Sequence, residues 1–548
     1  MQTSTLPLWQ RLRFNISAEH LALGFSLFFA LACNRMFWQS ALAGQDLAQS
    51  QGLMFAAGLF VFLAATHFLL LSLLLTRWSY RPLLGLLCIA TAFAVYFMEK
   101  YGIYLDPSML RNALRTDYPE ARELFAWDMA PYLLFFAVLP GMILSRATLI
   151  RPPLLKSTLR RTGYMVVALI ILFGALALVF KDFSALMRTH KEMRYQITPI
   201  NLVYSLAKVV STDAHAATRE RIPVGADAHL AESWQQRKRP TLLVIVVGET
   251  ARAANWGLSG YARQTTPQLA GLDVLNFADV SSCGTNTEVS LPCMFSAIGR
   301  RNYDEERIRG SESLLHVLDR ARVGVLWNDN QSGCKGVCDG LTQFRPEANR
   351  SPALCQGERC FDEALLDGLD ERVALHPGNQ VLVLHTLGNH GPAYYQRYPD
   401  RFRQFTPTCD TADLGKCSNE QIVNAYDNAL LYTDHLLART IEFLRRHAAS
   451  HDTAMIYVSD HGESLGENKL YLHGVPYAIA PDVQKKVPMV MWLSPAYAAN
   501  SAVNTGCLGE RAKRPASHDN LFHTVLGMLD IRTRVYDPAL DLLHTCRS

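Results

Sequence analysis

Acid, hydroxyl and imidazole side chains recur in the C-terminal half of this chain just after short apolar runs. VIVVGETAR ends a β-branched run on Glu249, and CGTNTEVSLPC holds Thr285, Thr287 and Ser290 between two cysteines. VLHTLGNHGP carries His390, and IYVSDHGESLGENKLYLHG carries Asp460, His461 and His473. Carboxylate oxygen and imidazole nitrogen are ligands that suit Zn2+. A hydroxyl is a poor nucleophile at its free pKa; metal coordination lowers that pKa and holds the oxygen in line. Together these residue types point to a zinc-dependent group transferase in which a threonine hydroxyl beside the metal would be activated.

Each residue also has an ordinary reading. A lone acid after a strand, such as Glu249, serves as a cap or turn residue. A threonine in a short cysteine-bracketed segment serves the same way, and His473 could be a surface histidine. Asp460 and His461 before Gly462 carry more weight, because two adjacent ligands on a glycine-relieved turn can aim at one ion.

The elements that must position these groups follow from hydrophobic rhythm. Apolar runs at 242–247, 323–327, 381–385 and 455–458 alternate with helical patterns such as 421–446, which predicts an α/β domain. In open α/β sheets ligands gather at the carboxyl ends of strands, where Glu249, Asn328, His390, Asp460 and His461 fall.

The N-terminal part is of a different kind. Among 548 residues, 49% are hydrophobic and 19% charged, more than one ordinary domain and apolar enough to include membrane. Runs at 21–38, 53–75, 82–97, 131–144 and 165–180 approach the ~20 residues that cross a bilayer. Buried core helices are the alternative, and a cleaved signal ending near Cys33 is an alternative for the first run. Arg11, Arg13, Arg77, Arg81, Arg146, Arg151, Lys156, Arg160 and Arg161 lie in alternate connections, which places those on the cytoplasmic side and the C-terminal half outside. A cleaved signal would reverse that bias. The predicted domains are a five-helix transmembrane domain at 1–180, a linker with an amphipathic interfacial helix at 181–239 and a periplasmic domain at 240–548.

Cysteines agree with the outside assignment. Of twelve, Cys33 and Cys88 fall within spans and the other ten follow in near-neighbour pairs: 283 with 293, 334 with 338, 355 with 360, 409 with 417, leaving 507 with 546. Such a set reads as disulfides in an oxidising compartment. A metal reading of Cys334 and Cys338 lacks a second ligand pair. The net charge of +4 is too small and dispersed for nucleic-acid binding.

VVGETAR, CGTNTEVSLPCMFS, HTLGNHGPAYYQRYP, FTPTCD and SDHGESLGENKLYLHG together closely resemble the lipid A phosphoethanolamine transferases, including the mobile colistin-resistance enzymes, of the alkaline phosphatase and sulfatase superfamily. The resemblance covers essentially the whole chain. It implies Thr287 as phosphorylated nucleophile and Glu249, Thr287, Asp460 and His461 as ligands of a catalytic Zn2+. His390 and His473 would hold phosphoryl oxygens or a second zinc. Ser332 and Lys335 in WNDNQSGCKG match positions contacting phosphoethanolamine, and Asn112, Thr116 and Glu120 match positions lining the headgroup site. Asn286 differs from the serine of CGTST, a change expected to alter loop packing and leave the nucleophile in place. The implied reaction moves phosphoethanolamine from phosphatidylethanolamine to a lipid A phosphate, giving polymyxin resistance, in a monomeric multi-pass protein of the bacterial inner membrane. Kdo, heptose or a periplasmic glucan are alternative acceptors. A sulfatase or phosphoglycerol transferase would share the metal site, and a non-enzymatic receptor would lose ligands.

Overall fold

The computed structural model describes residues 13–547 except 117, 218–219 and 357–358. The chain forms two compact units, Met1–Leu110 with Ala126–Lys208, and Arg111–Phe125 with Val209–Ser548.

The first unit is helical. Ser50–Leu74, Tyr80–Tyr101, Trp127–Arg146 and Leu154–Ser184 are each long and apolar enough to cross a bilayer. The expected first span is instead a pair of helices, Ala18–Ala32 and Arg35–Ala41, bent by 60°. Asn34 sits at the bend: its side-chain amide donates to the Phe29 carbonyl at 2.7 Å, which also takes the helical bond from Cys33 N–H, and to the Thr198 carbonyl at 2.9 Å. Four spans are therefore continuous among the described residues, and the fifth counts only if the bent pair is one span. Ser50–Leu74 packs on Leu154–Thr189, where a Cβ on Gly58 would lie 2.6 Å from Val179; glycine lets the two backbones close. Val166, Ile170, Phe173, Leu178 and Phe180 on Leu154–Thr189 remain exposed, as suits a lipid-facing helix.

The second unit is built on one sheet. Its strands are β1 (Thr241–Gly248), β2 (Leu275–Ser281), β3 (Gly324–Asp329), β4 (Thr342–Phe344), β5 (Gln380–His385), β6 (Asp452–Ser459), β7 (Lys486–Leu493) and β8 (Ala516–Ser517). Their order is β8-β2-β7-β6-β1-β5-β3-β4. The centre, β6-β1-β5-β3, is parallel, while β7 runs antiparallel to both neighbours. β1 and β6 are buried along their whole length, which is why they read as continuous apolar runs. The helix Asn419–Arg446 begins in a capping box between Ser418 and Gln421.

All five expected disulfides are formed, and Cys33 and Cys88 are free and buried. Alkylation under denaturing, non-reducing conditions is therefore expected to modify two cysteines, Cys33 and Cys88, and prior reduction all twelve. Peptide mass spectrometry checks this; label on any of the other ten without reduction would contradict the pairing.

Candidate active site

The site starts from strand register. β1 and β6 are parallel with Gly248 opposite Ser459, so the next residues, Glu249 and Asp460, emerge side by side at the carboxyl edge. Thr250, at φ +62°, turns the chain there; its N–H donates to Asp460 Oδ1 at 3.2 Å and its hydroxyl to Glu249 Oε1 at 2.6 Å. Gly388 lies against the same turn, where a Cβ would sit 2.6 Å from the Glu249 carbonyl oxygen. Only glycine admits this approach.

Glu249, Asp460 and His461 are wholly buried, with one ligand atom from each within 4.8 Å of the others. His461 Nδ1 donates to the Gly462 carbonyl at 2.9 Å, leaving Nε2 3.2 Å from Glu249 Oε1 and 3.4 Å from Asp460 Oδ2. Asp460 Oδ2 has no hydrogen-bond donor among the described residues. Two buried carboxylates and an imidazole converging on one point, with an oxygen unsatisfied, form a donor set that fits a divalent cation.

The electrostatics agree. Burial and the Glu249 charge push Asp460 up to about 7. Burial opposes protonation of His461, yet Asp460 and Glu249 outweigh it and raise the imidazole to about 10. Glu249 is held below its ordinary value: burial works against this, and the hydrogen bond and charge of His461 prevail. A proton on His461 thus stands in for the cation.

Thr287 enters from the other side. It opens the helix Thr287–Met294, whose N-cap is Asn286, with Oδ1 accepting from Val289 N–H at 3.0 Å. Thr287 Oγ1 lies 3.2 and 3.1 Å from the two Glu249 oxygens and 3.4 Å from His461 Nε2. Thr285, in contrast, donates its hydroxyl to the Val475 carbonyl at 2.6 Å, and Ser290 donates to the Asp460 carbonyl.

Two histidines stand beside this cluster. The His473 ring centroid is 4.3 Å from that of His461 and 5.4 Å from that of His390. His473 Nδ1 bonds Glu463 at 2.8 Å, and Tyr394 donates to the same carboxylate at 2.5 Å. Lys335, at φ +50°, donates to Ser332 Oγ at 2.7 Å. Both line a cavity of about 560 Å³ that also includes Arg115 and Arg309. Asn112 and Thr116 are half-buried, with the Thr116 hydroxyl donating to the Asn112 carbonyl at 2.9 Å. The Glu120 side chain lies outside the described residues.

A sulfatase family model matches residues 241–531, and a model described as phosphoethanolamine transferase EptA/EptB matches residues 63–214. The phosphoethanolamine transferase EptA of Escherichia coli (strain K12) is 40% identical over 529 residues, 95% of this chain and 96% of that one. The phosphatidylethanolamine transferase Mcr-1 of Escherichia coli is 37% identical over 531 residues, again 95% and 96%. This chain belongs to the phosphoethanolamine transferase family. The integral membrane lipooligosaccharide phosphoethanolamine transferase A of Neisseria meningitidis superposes with a TM-score of 0.90 at 34% identity, covering 97% of this chain and 99% of that one. The family and fold expected from the motifs are those found.

Several polar groups of this transferase site escape the sequence. Gln331 donates to Glu249 Oε2 at 3.3 Å, and Glu288 receives three cations. Glu463 was visible as an acid within DHGES, but nothing local shows that it orients His473.

A cation entering the cluster must displace the His461 proton and the share held by Asp460. Zn2+ binding at pH 7 is therefore expected to release about one to two protons and to strengthen as pH rises. Calorimetric titration in buffers of different ionisation enthalpy measures this; affinity independent of pH between 6 and about 8 would contradict the assignment.

Proposed function

We propose that this transferase moves phosphoethanolamine from phosphatidylethanolamine to a phosphate of lipid A through a phosphothreonine at Thr287, with Zn2+ held by Glu249, Thr287, Asp460 and His461. The carrying observation is that Thr287, not Thr285, places its hydroxyl against Glu249 and His461. When bound, the zinc supplies Lewis acidity that lowers the hydroxyl pKa.

The residues divide the work. The Thr287 proton is given up and Oγ1 attacks the donor phosphorus; the bond to the diacylglycerol oxygen breaks and that oxygen leaves protonated as diacylglycerol. An oxygen of the acceptor phosphate then attacks the phosphothreonine and returns Oγ1 to the enzyme. Charge on the phosphoryl oxygens is met by Lys335, with His390 and His473 beside them, the latter held through Nδ1 by Glu463. Ser332 positions Lys335, and Asn112, Thr116 and Glu120 take the ethanolamine end. Thr287 at the first position of its helix adds the positive end of the helix dipole. The enzyme acts as a monomer in the bacterial inner membrane with this unit in the periplasm, a placement supported by the charge of the connections and by the five disulfides. Adding a cationic amine to an anionic lipid weakens its attraction for polymyxin.

Cells expressing the chain should carry phosphoethanolamine on lipid A by mass spectrometry and survive higher polymyxin. Thr287→Ala should lower transfer by about three orders of magnitude or more with expression and membrane insertion retained, whereas Thr285→Ala, losing only the bond to Val475, is milder. Unchanged diacylglycerol release by Thr287→Ala would refute the nucleophile. Modification confined to Kdo or heptose would move the acceptor and leave the chemistry standing.

A further inference from the structure

We propose that Glu288, the residue after Thr287, is a positioning residue that holds three cations on the wall of the 560 Å³ cavity and thereby sets the enzyme's affinity for the donor phosphodiester. The inference rests on the reaction proposed above.

Glu288 is fully buried, and a carboxylate removed from water needs charged partners. It draws them from three separate pieces of chain. Arg115 Nη1 and Arg309 Nη2 each lie 3.1 Å from Oε2, and Lys335 Nζ lies 3.3 Å from Oε1. Arg309 also donates to the Glu288 carbonyl, so it is tied to both backbone and side chain of the first helical turn. All three cations line the same cavity.

The three are not equally dependent on Glu288. Arg115 shares Asp213 at 2.9 Å and Arg309 shares Glu305 at 3.3 Å. Lys335 has no other carboxylate within ion-pair distance among the described residues. Its backbone is fixed in a left-handed turn closed by the Cys334–Cys338 disulfide, but four methylenes separate that backbone from the charge. The position of the ammonium is therefore set by Glu288 and by Ser332, whose hydroxyl and carbonyl accept from it at 2.7 and 3.2 Å. Without the Glu288 charge, Lys335 would keep only these two neutral acceptors and be repelled by two guanidinium groups. A phosphodiester would then have to order the cation as it bound, where the intact site presents it already placed.

Glu288 itself stays away from the reacting atom. The Thr287 hydroxyl contacts Glu249 and His461, while the neighbouring side chain serves the cavity wall. Its loss should therefore appear in donor binding more than in the chemical step.

The test uses full-length enzyme in detergent micelles with phosphatidylethanolamine, following diacylglycerol release over a range of donor concentrations. Glu288→Gln is expected to raise KM about tenfold or more and to lower kcat by a smaller factor, through the displaced Lys335, with zinc content and melting profile as in the parent. Glu288→Asp, which keeps the charge, should recover part of the loss. Glu288→Gln combined with Lys335→Ala should be no worse than Lys335→Ala alone, because one acts through the other. A parental KM in Glu288→Gln, or losses that multiply in the double variant, would overturn the proposal; so would loss of zinc together with activity, which marks a purely structural role. If Glu288→Gln does not fold, Glu288→Asp decides, since a KM equal to the parent's despite the shorter reach contradicts positioning. A parent that releases no diacylglycerol would instead refute the proposed reaction.

Discussion

Two buried carboxylates, Glu249 and Asp460, stand side by side because two parallel strands end in register, and much of the second unit answers that one charge problem. Like charges removed from water repel strongly, and the arrangement persists only with positive charge between them. His461 lies between them, and their two charges outweigh burial to raise its imidazole well above the ordinary range. A divalent cation would supply that positive charge, and the three donor groups converge as such an ion requires, with the Thr287 hydroxyl 3.1 Å from Glu249 beside them. The local backbone serves the same end: left-handed Thr250 and the glycine at 388 let two loops meet over Glu249 without a side chain intervening.

Around that centre the remaining charges are arranged in pairs that fix direction. Tyr394 and Glu463 orient His473, whose own pKa is lowered by burial and by the charge on His461. Glu288 does the corresponding work for Lys335, Arg309 and Arg115. Glu463 and Glu288 thus each hold an imidazole or cations, and the cavity beside the site inherits a fixed pattern of charge. Such a site needs little rearrangement when a phosphoryl group arrives, which is the economical form of electrostatic catalysis.

How much of this was legible depended on whether the signal was local. Glu249, Asp460 and His461 follow continuous apolar runs, so strand ends and ligand types coincide in the sequence, and near-neighbour cysteines announced their own pairing. The central strands β1, β3, β5 and β6 were visible for the same reason. β2 was not, because LNFADVS mixes polar and apolar residues, and β7 carries Pro488 at a register shift between Val487 and Met489. Asn34 at the bend is bonded to a carbonyl at Thr198, 164 residues away. Glu288 looks like an ordinary first-turn acid until Arg115, 173 residues earlier, is brought to it.

That last contact bears on how the protein is organised. Arg111–Phe125 lies in the chain between Tyr80–Tyr101 and Trp127–Arg146, two helices apolar enough to span a bilayer, yet it folds as part of the C-terminal unit. Arg111 is almost fully buried between Asp213 and Glu305, Arg115 reaches Glu288, and Glu123 pairs with Arg359 and Arg397. Arg397 in turn donates to the carbonyl of His390 at 2.6 Å. A stretch of chain bracketed by apolar helices therefore completes two ion clusters, one beside the helix that begins at Thr287 and one behind His390. A soluble piece beginning after the last apolar helix would leave Glu288 with two of its three cations and Arg397 without its carboxylate at Glu123. The charges of the second unit are thus closed by residues that the linear order places between two apolar helices.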